Sequence, residues 1–132
     1  MRTMTFAPLV LAAALLPVSI QAEDALMVSV NRLALDTAVT IAQGVVAACR
    51  EKGIQIGVTV VDRDGVVQAQ LRDTIAAPIT VPISKQKAYT AVNFNAATSN
   101  LGSRADTPIG RIDGLVMSAG GVPIQVGGAL VG

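Results

Sequence analysis

Four residues in one short run carry most of the reactive chemistry of this 132-residue chain: Lys85, Lys87, Tyr89 and Thr90. Arg104 and Arg111 follow in less regular sequence. Cations of this kind hold carboxylates, and a phenolate can serve as a hard oxygen ligand. The plainer reading of the lysines is a solvated helix face, and of Tyr89 a core aromatic with its hydroxyl at the rim. Histidine is absent from the sequence. That removes the commonest general base and metal ligand, together with any Ser-His-Asp or Cys-His arrangement. Cys49 is the only cysteine, so no internal disulfide can form. Its place on an apolar helix stripe reads as a small buried hydrophobe. Asp62 and Asp64 flank a turn, where aspartates commonly bond neighbouring backbone rather than a metal. Met117 is a soft side chain in an apolar run and reads as packing.

These residues need a scaffold, and its centre lies at residues 54–72. Two β-branched runs are separated by Arg63-Asp64-Gly65, and Asp-Gly supplies the positive φ of a tight hairpin turn. Alternation puts Ile56, Val58 and Val60 on one face, with Val67, Ala69 and Leu71 sharing a face of the return strand. The helical run that carries Lys85–Thr90, over residues 82–95, is the nearest element able to cover that aliphatic face. Pro82 suits its first turn, and Ala88, Ala91 and Val92 make it narrow. An earlier helix is expected over residues 31–52. Its stripe is Leu35, Ala38, Ala42, Val45, Val46 and Cys49, with Ser29 or Asn31 as cap and Lys52-Gly53 as stop. One helical turn is expected at 98–103 and a Pro/Gly loop at 106–113. Strands are expected at 115–119 and 122–125, then a turn at Gly127-Gly128 and a final strand from 129. The order α-β-β-α-β-β-β is that of an α+β domain with helices packed on an antiparallel sheet.

Charged residues make up only 14% and aromatics 2% of the chain. This excludes a basic nucleic-acid module and a base-stacking platform. Residues 1–22 have the form of a secretory signal peptide: Arg2, an apolar stretch too short to anchor in a bilayer, and Ile20-Gln21-Ala22 before an acidic pair. Residues 23–132 then form one domain, periplasmic or secreted, with no membrane span once the leader is cleaved.

Val-Thr-Val-Val-Asp-Arg-Asp-Gly at 58–65, Lys-Ala-Tyr-Thr-Ala at 87–91, Gly-Gly-Val-Pro-Ile at 120–124 and Gly127-Gly128 resemble, in that order, the GlcG/HbpS-like family of haem-binding and haem-degrading proteins. The resemblance runs from about Leu33 to the end. It implies a profilin-like sheet, a homo-oligomer, and haem or a related tetrapyrrole as cofactor. By that implication Lys87 and Arg111 meet propionates, Tyr89 is the candidate iron ligand, and Thr90 adds a hydroxyl. Relatives continue past the equivalent of residues 129–132 with more strand and a closing helix, so the chain is expected to be truncated there. Many also carry a histidine in the loop that here reads Ala77-Pro78-Ile79-Thr80, where Ile79 takes its place. A second reading follows from that departure: an assembly domain of the same fold that binds no cofactor.

Overall fold

The computed structural model describes residues 26–132. The expected leader and its cleavage point after Ala22 lie outside the described residues. The elements are α1 (Leu35–Glu51), β1 (Gly57–Val61), β2 (Val67–Arg72), α2 (Thr80–Phe94), three short 3-10 turns between residues 98 and 111, β3 (Gln125–Val126) and β4 (Ala129–Leu130). Two helices with antiparallel strands make the α+β domain expected from the sequence.

β1 and β2 pair antiparallel, Gly57 opposite Arg72 and Val60 opposite Ala69, with a bulge between Val60 and Val61. The turn joining them is organised by Asp62. Its carboxylate accepts the backbone N–H of Asp64 at 2.9 Å and of Val66 at 3.0 Å, the backbone role expected of a turn aspartate. Gly65 takes φ +82°. A side chain there would also strike the Tyr89 ring, with Cδ2 only 2.6 Å from the position of a Cβ.

The two faces of the hairpin are covered by different helices. Val58, Val60 and Ala69 pack with Leu33, Ala38, Ala42 and Ile41, so α1 covers the aliphatic face. The expectation that the second helix would do so is not met. α2 lies on the other face, where Thr59 and Ser84 share a hydrogen bond of 2.8 Å and Gln70 donates to Thr59 at 2.8 Å. α2 is able to sit that close because Gly57 has no side chain; a Cβ there would lie 2.8 Å from the Thr80 carbonyl. Alternation decides which residues share a face, and the small size of Ala38 and Ala42 decides which helix fits against the branched one.

α1 begins later than the sequence pattern suggests. Its N-cap is Ala34, with no side-chain cap, because Arg32 is drawn instead to the Asp62 and Asp64 carboxylates at the hairpin tip. Leu35, expected on the apolar stripe, is 59% exposed, and Val45 is also exposed. Cys49 is half-buried and free. The helix stops as expected, with Gly53 at φ +71°. Arg50 grips Asp73 with both arms, at 2.7 and 2.6 Å, tying the last turn of α1 to the end of β2.

No strand forms at 115–119, and the one expected at 122–125 shrinks to β3. Thr90 and Thr98, both fully buried, take this stretch instead. Thr90 Oγ1 accepts the N–H of Val116 at 2.9 Å, and Thr98 Oγ1 accepts that of Gly121 at 2.9 Å. Side chains of α2 and the turn after it thus occupy backbone groups that a ladder would have used. β3 and β4 make a hairpin around Gly127-Gly128, Gln125 opposite Leu130. Its end returns to the first sheet: Val131 joins the α1 core, and Gly132 stands against the Val61 carbonyl.

Candidate functional site

Three clefts stand out among the described residues. The most voluminous of the three, about 410 Å³, lies between the outer face of α2 and the 113–114 loop, walled by Pro82, Lys85, Gln86, Tyr89, Asp113 and Gly114. A second, about 260 Å³, surrounds the Arg50–Asp73 pair. The third is a slot of about 180 Å³ beside β1. Small-ligand sites are typically ~300–1,000 Å³. Of these three, the cleft beside Tyr89 falls in that range.

Tyr89 is 39% exposed, with its ring seated on Gly65. Lys85, one helical turn earlier, shares its face. Lys87, two residues from either, is turned away: its ammonium donates to the Ala119 carbonyl at 2.7 Å and its stem packs over Gly120. Thr90 has no exposed surface and spends its proton on the Gln86 carbonyl at 2.7 Å. Its hydroxyl is enclosed and holds Val116, so it offers nothing to a ligand in the cleft. Arg111 is exposed on the last 3-10 turn, two residues before Asp113. Arg104 lies over the Phe94 ring at 5.7 Å, and Met117 is buried as packing. Of the four residues expected at the site, Tyr89 alone lines the cleft. Lys85 stands in the cleft wall beside Tyr89, and their i, i+4 spacing was the signal that could have paired them.

Electrostatics elsewhere are structural. Burial alone would push the Asp62 carboxyl up, but the Val66 and Asp64 N–H groups and the Arg32 guanidinium outweigh it and hold it below the usual range. The hydrogen bond from Arg50 lowers the Asp73 carboxyl, against an opposing burial effect, with the Thr74 N–H assisting. Among the described residues no group of three or more acidic or cysteine side chains is placed to hold a metal. None of the described helices is long and apolar enough to cross a membrane.

The family model of the HbpS-like haem-degrading proteins matches residues 33–132. The chain belongs to that family. HbpS itself, in its crystal structure, is 33% identical over 85% of this chain and 81% of its own, with a TM-score of 0.76. Two further HbpS-like folds are more distant. Klebsiella pneumoniae protein ORFY is 20% identical over 83% of this chain and 81% of its own, with a TM-score of 0.76. The PduOC:heme complex is 20% identical over 76% and 78%, with a TM-score of 0.70. No curated protein sequence matches the chain. The match starts at Leu33, the first core residue of the HbpS-like domain, and spans both threonine anchors.

Proposed function

We propose that this HbpS-like protein is exported and binds haem, or a related tetrapyrrole, in the cleft beside Tyr89. The observation that carries the reading is that cleft: its volume suits a small ligand, and an accessible phenol stands in its wall. The residues present fit the group. Tyr89 would supply an oxygen ligand to ferric iron, and Lys85 a cation for one propionate, while Pro82 and the ring itself give apolar contact. Arg111, foreseen as a propionate partner, is exposed two residues before Asp113 and donates to the Asp106 carbonyl at 3.5 Å. When bound, haem would bring redox-active iron to the surface of the domain. With no imidazole in the chain, binding rather than degradation is the function these residues suit. Export rests on the signal-like composition of residues 1–22, ahead of the matched domain, and puts the protein in the periplasm or outside the cell.

Haem titration of the purified domain tests the site. The expected result is a Soret band that saturates with a dissociation constant of roughly 10⁻⁶ M, weak because phenolate replaces imidazole. Tyr89→Phe should shift or abolish the ferric spectrum, and Lys85→Ala should weaken binding while leaving the band in place. A Tyr89→Phe spectrum identical to the wild type removes Tyr89 from the site. No Soret band at any haem concentration favours the cofactor-free assembly domain.

A further inference from the structure

Tyr89 owes its place to residues outside the cleft it lines. Its ring stands against the hairpin tip: a Cβ on Gly65 would lie 2.6 Å from Cδ2 and 2.9 Å from Cε2. The same Cβ would be 3.5 Å from the Asn93 amide nitrogen, which itself donates to the Tyr89 carbonyl at 2.9 Å. One turn of α2, from Tyr89 to Asn93, therefore rests on a single glycine. Backbone conformation does not by itself demand that glycine. Asparagine tolerates a left-handed backbone better than other side chains do, and Gly65 has φ +82°. Any Cβ there would strike the ring, so the ring as well as the turn accounts for Gly65.

The tip is held in turn from its far side. Asp62 closes the turn through the N–H groups of Asp64 and Val66, and the Arg32 guanidinium bridges the Asp62 and Asp64 carboxylates. Arg32 belongs to the irregular segment ahead of α1, thirty residues from Asp62 in sequence. The Asp62 side chain is 9% exposed and that of Asp64 52%, so the arm on Asp62 is the one shielded from water and salt. Loop tips are ordinarily among the looser parts of a domain. This one is fastened to the chain that leads into α1. A tyrosine on an open helix face would sample several rotamers. Seated before a ligand arrives, the ring has little freedom left to lose on binding.

We infer, on the haem reading of the cleft, that Gly65 and Arg32 are positioning residues for the Tyr89 phenol. Gly65 seats the ring, and Arg32, through Asp62 and Asp64, holds the seat. Ligand affinity then depends on a segment that touches no ligand. Tyr89 is the only tyrosine of the chain, which has no tryptophan, so the tyrosine band in near-ultraviolet circular dichroism reports this one ring. An immobilised ring gives a strong band and a free ring a weak one. In the ligand-free full chain, Arg32→Gln should reduce that band with the far-ultraviolet spectrum unchanged. It should also raise the haem dissociation constant roughly three- to tenfold, the effect of ordering one side chain. Arg32→Lys, which keeps one ion pair, should recover part of both changes. Gly65→Asn is the second variant: it suits the turn but displaces the ring, and should shift the ferric Soret maximum. A clamp with a merely structural role would lower the urea midpoint in Arg32→Gln and leave the tyrosine band whole, which overturns the inference. A weakened band with unchanged haem affinity overturns it too, as does a Gly65→Asn spectrum identical to the wild type. A wild type without a Soret band defeats the haem reading instead, and the ligand-free tyrosine band still decides the seat.

Discussion

Thr98→Val is a direct test of how the chain between α2 and β3 is held. Valine has the shape of threonine, so the fully buried site keeps its volume and gains no cavity. What disappears is the hydroxyl that accepts the Gly121 N–H at 2.9 Å and donates to the Gly121 carbonyl at 3.3 Å. The carbonyl keeps a partner, because the Thr98 N–H also reaches it at 2.9 Å. The Gly121 N–H keeps none in this structure, and Gly121 is buried. A buried donor left unpaired costs about 1–3 kcal/mol. For a domain of this size that lowers Tm by roughly 5–20 °C. Urea unfolding should show the midpoint falling with an unchanged m-value. Thr98→Ser restores the hydroxyl, and should recover most of the difference despite losing a methyl group that touches Gly121. A Thr98→Val protein within about 0.5 kcal/mol of wild type, the range of an ordinary surface substitution, refutes the anchor.

Gly57→Ala should destabilise by about 1–3 kcal/mol, since its methyl meets the Thr80 backbone rather than a side chain able to turn away; equal stability by urea unfolding would show that α2 can withdraw freely. Acid should unfold the protein through Asp62 and Asp73. Both carboxyls are held below their unfolded value of about 3.9, so their contribution is whole above that pH and is lost as pH falls through the lower folded values. Asp73→Asn should flatten the part of the acid transition below about pH 4, and an unaltered acid limb would remove Asp73 from it. Protein recovered from a secreting host should have an intact mass beginning at Glu23, and material still carrying Arg2 would count against export.

The hairpin, both helices, the stop at Gly53 and the turn at Gly127-Gly128 were all legible, because each rests on short-range rules of spacing and backbone conformation. The occupant of each sheet face was not. Alternation sorts Val58 and Val60 from Thr59, but which helix meets which set depends on Ala38 and Ala42 fitting against branched side chains far along the chain. The grouping of side chains at the cleft beside Tyr89 was hidden for the same reason. Lys85 and Lys87 differ by two residues, hence by slightly more than a half-turn of helix, and choosing between them requires knowing which side of α2 faces inward. The strand expected at 115–119 failed for a third reason. Leu, Val and Met suit a strand in isolation, yet Thr90 and Thr98 claim the backbone of Val116 and Gly121 before a neighbour can.

The polar contact between β1 and α2 has only one sense. Ser84 gives its proton to the Val81 carbonyl at 2.9 Å, so the proton shared with Thr59 must come from Thr59, and the Gln70 amide must fill the lone pair that Thr59 leaves open. Amide, hydroxyl, hydroxyl and carbonyl therefore point the same way, and neither hydroxyl can rotate alone without stranding its neighbour. Such coupled protons should exchange with solvent more slowly than those of an unpaired hydroxyl. They should appear as slowly exchanging hydroxyl resonances, an uncommon signal in proton spectra. Their disappearance on warming would time the moment α2 lifts from the sheet, separately from the melting of the aliphatic layer beneath α1.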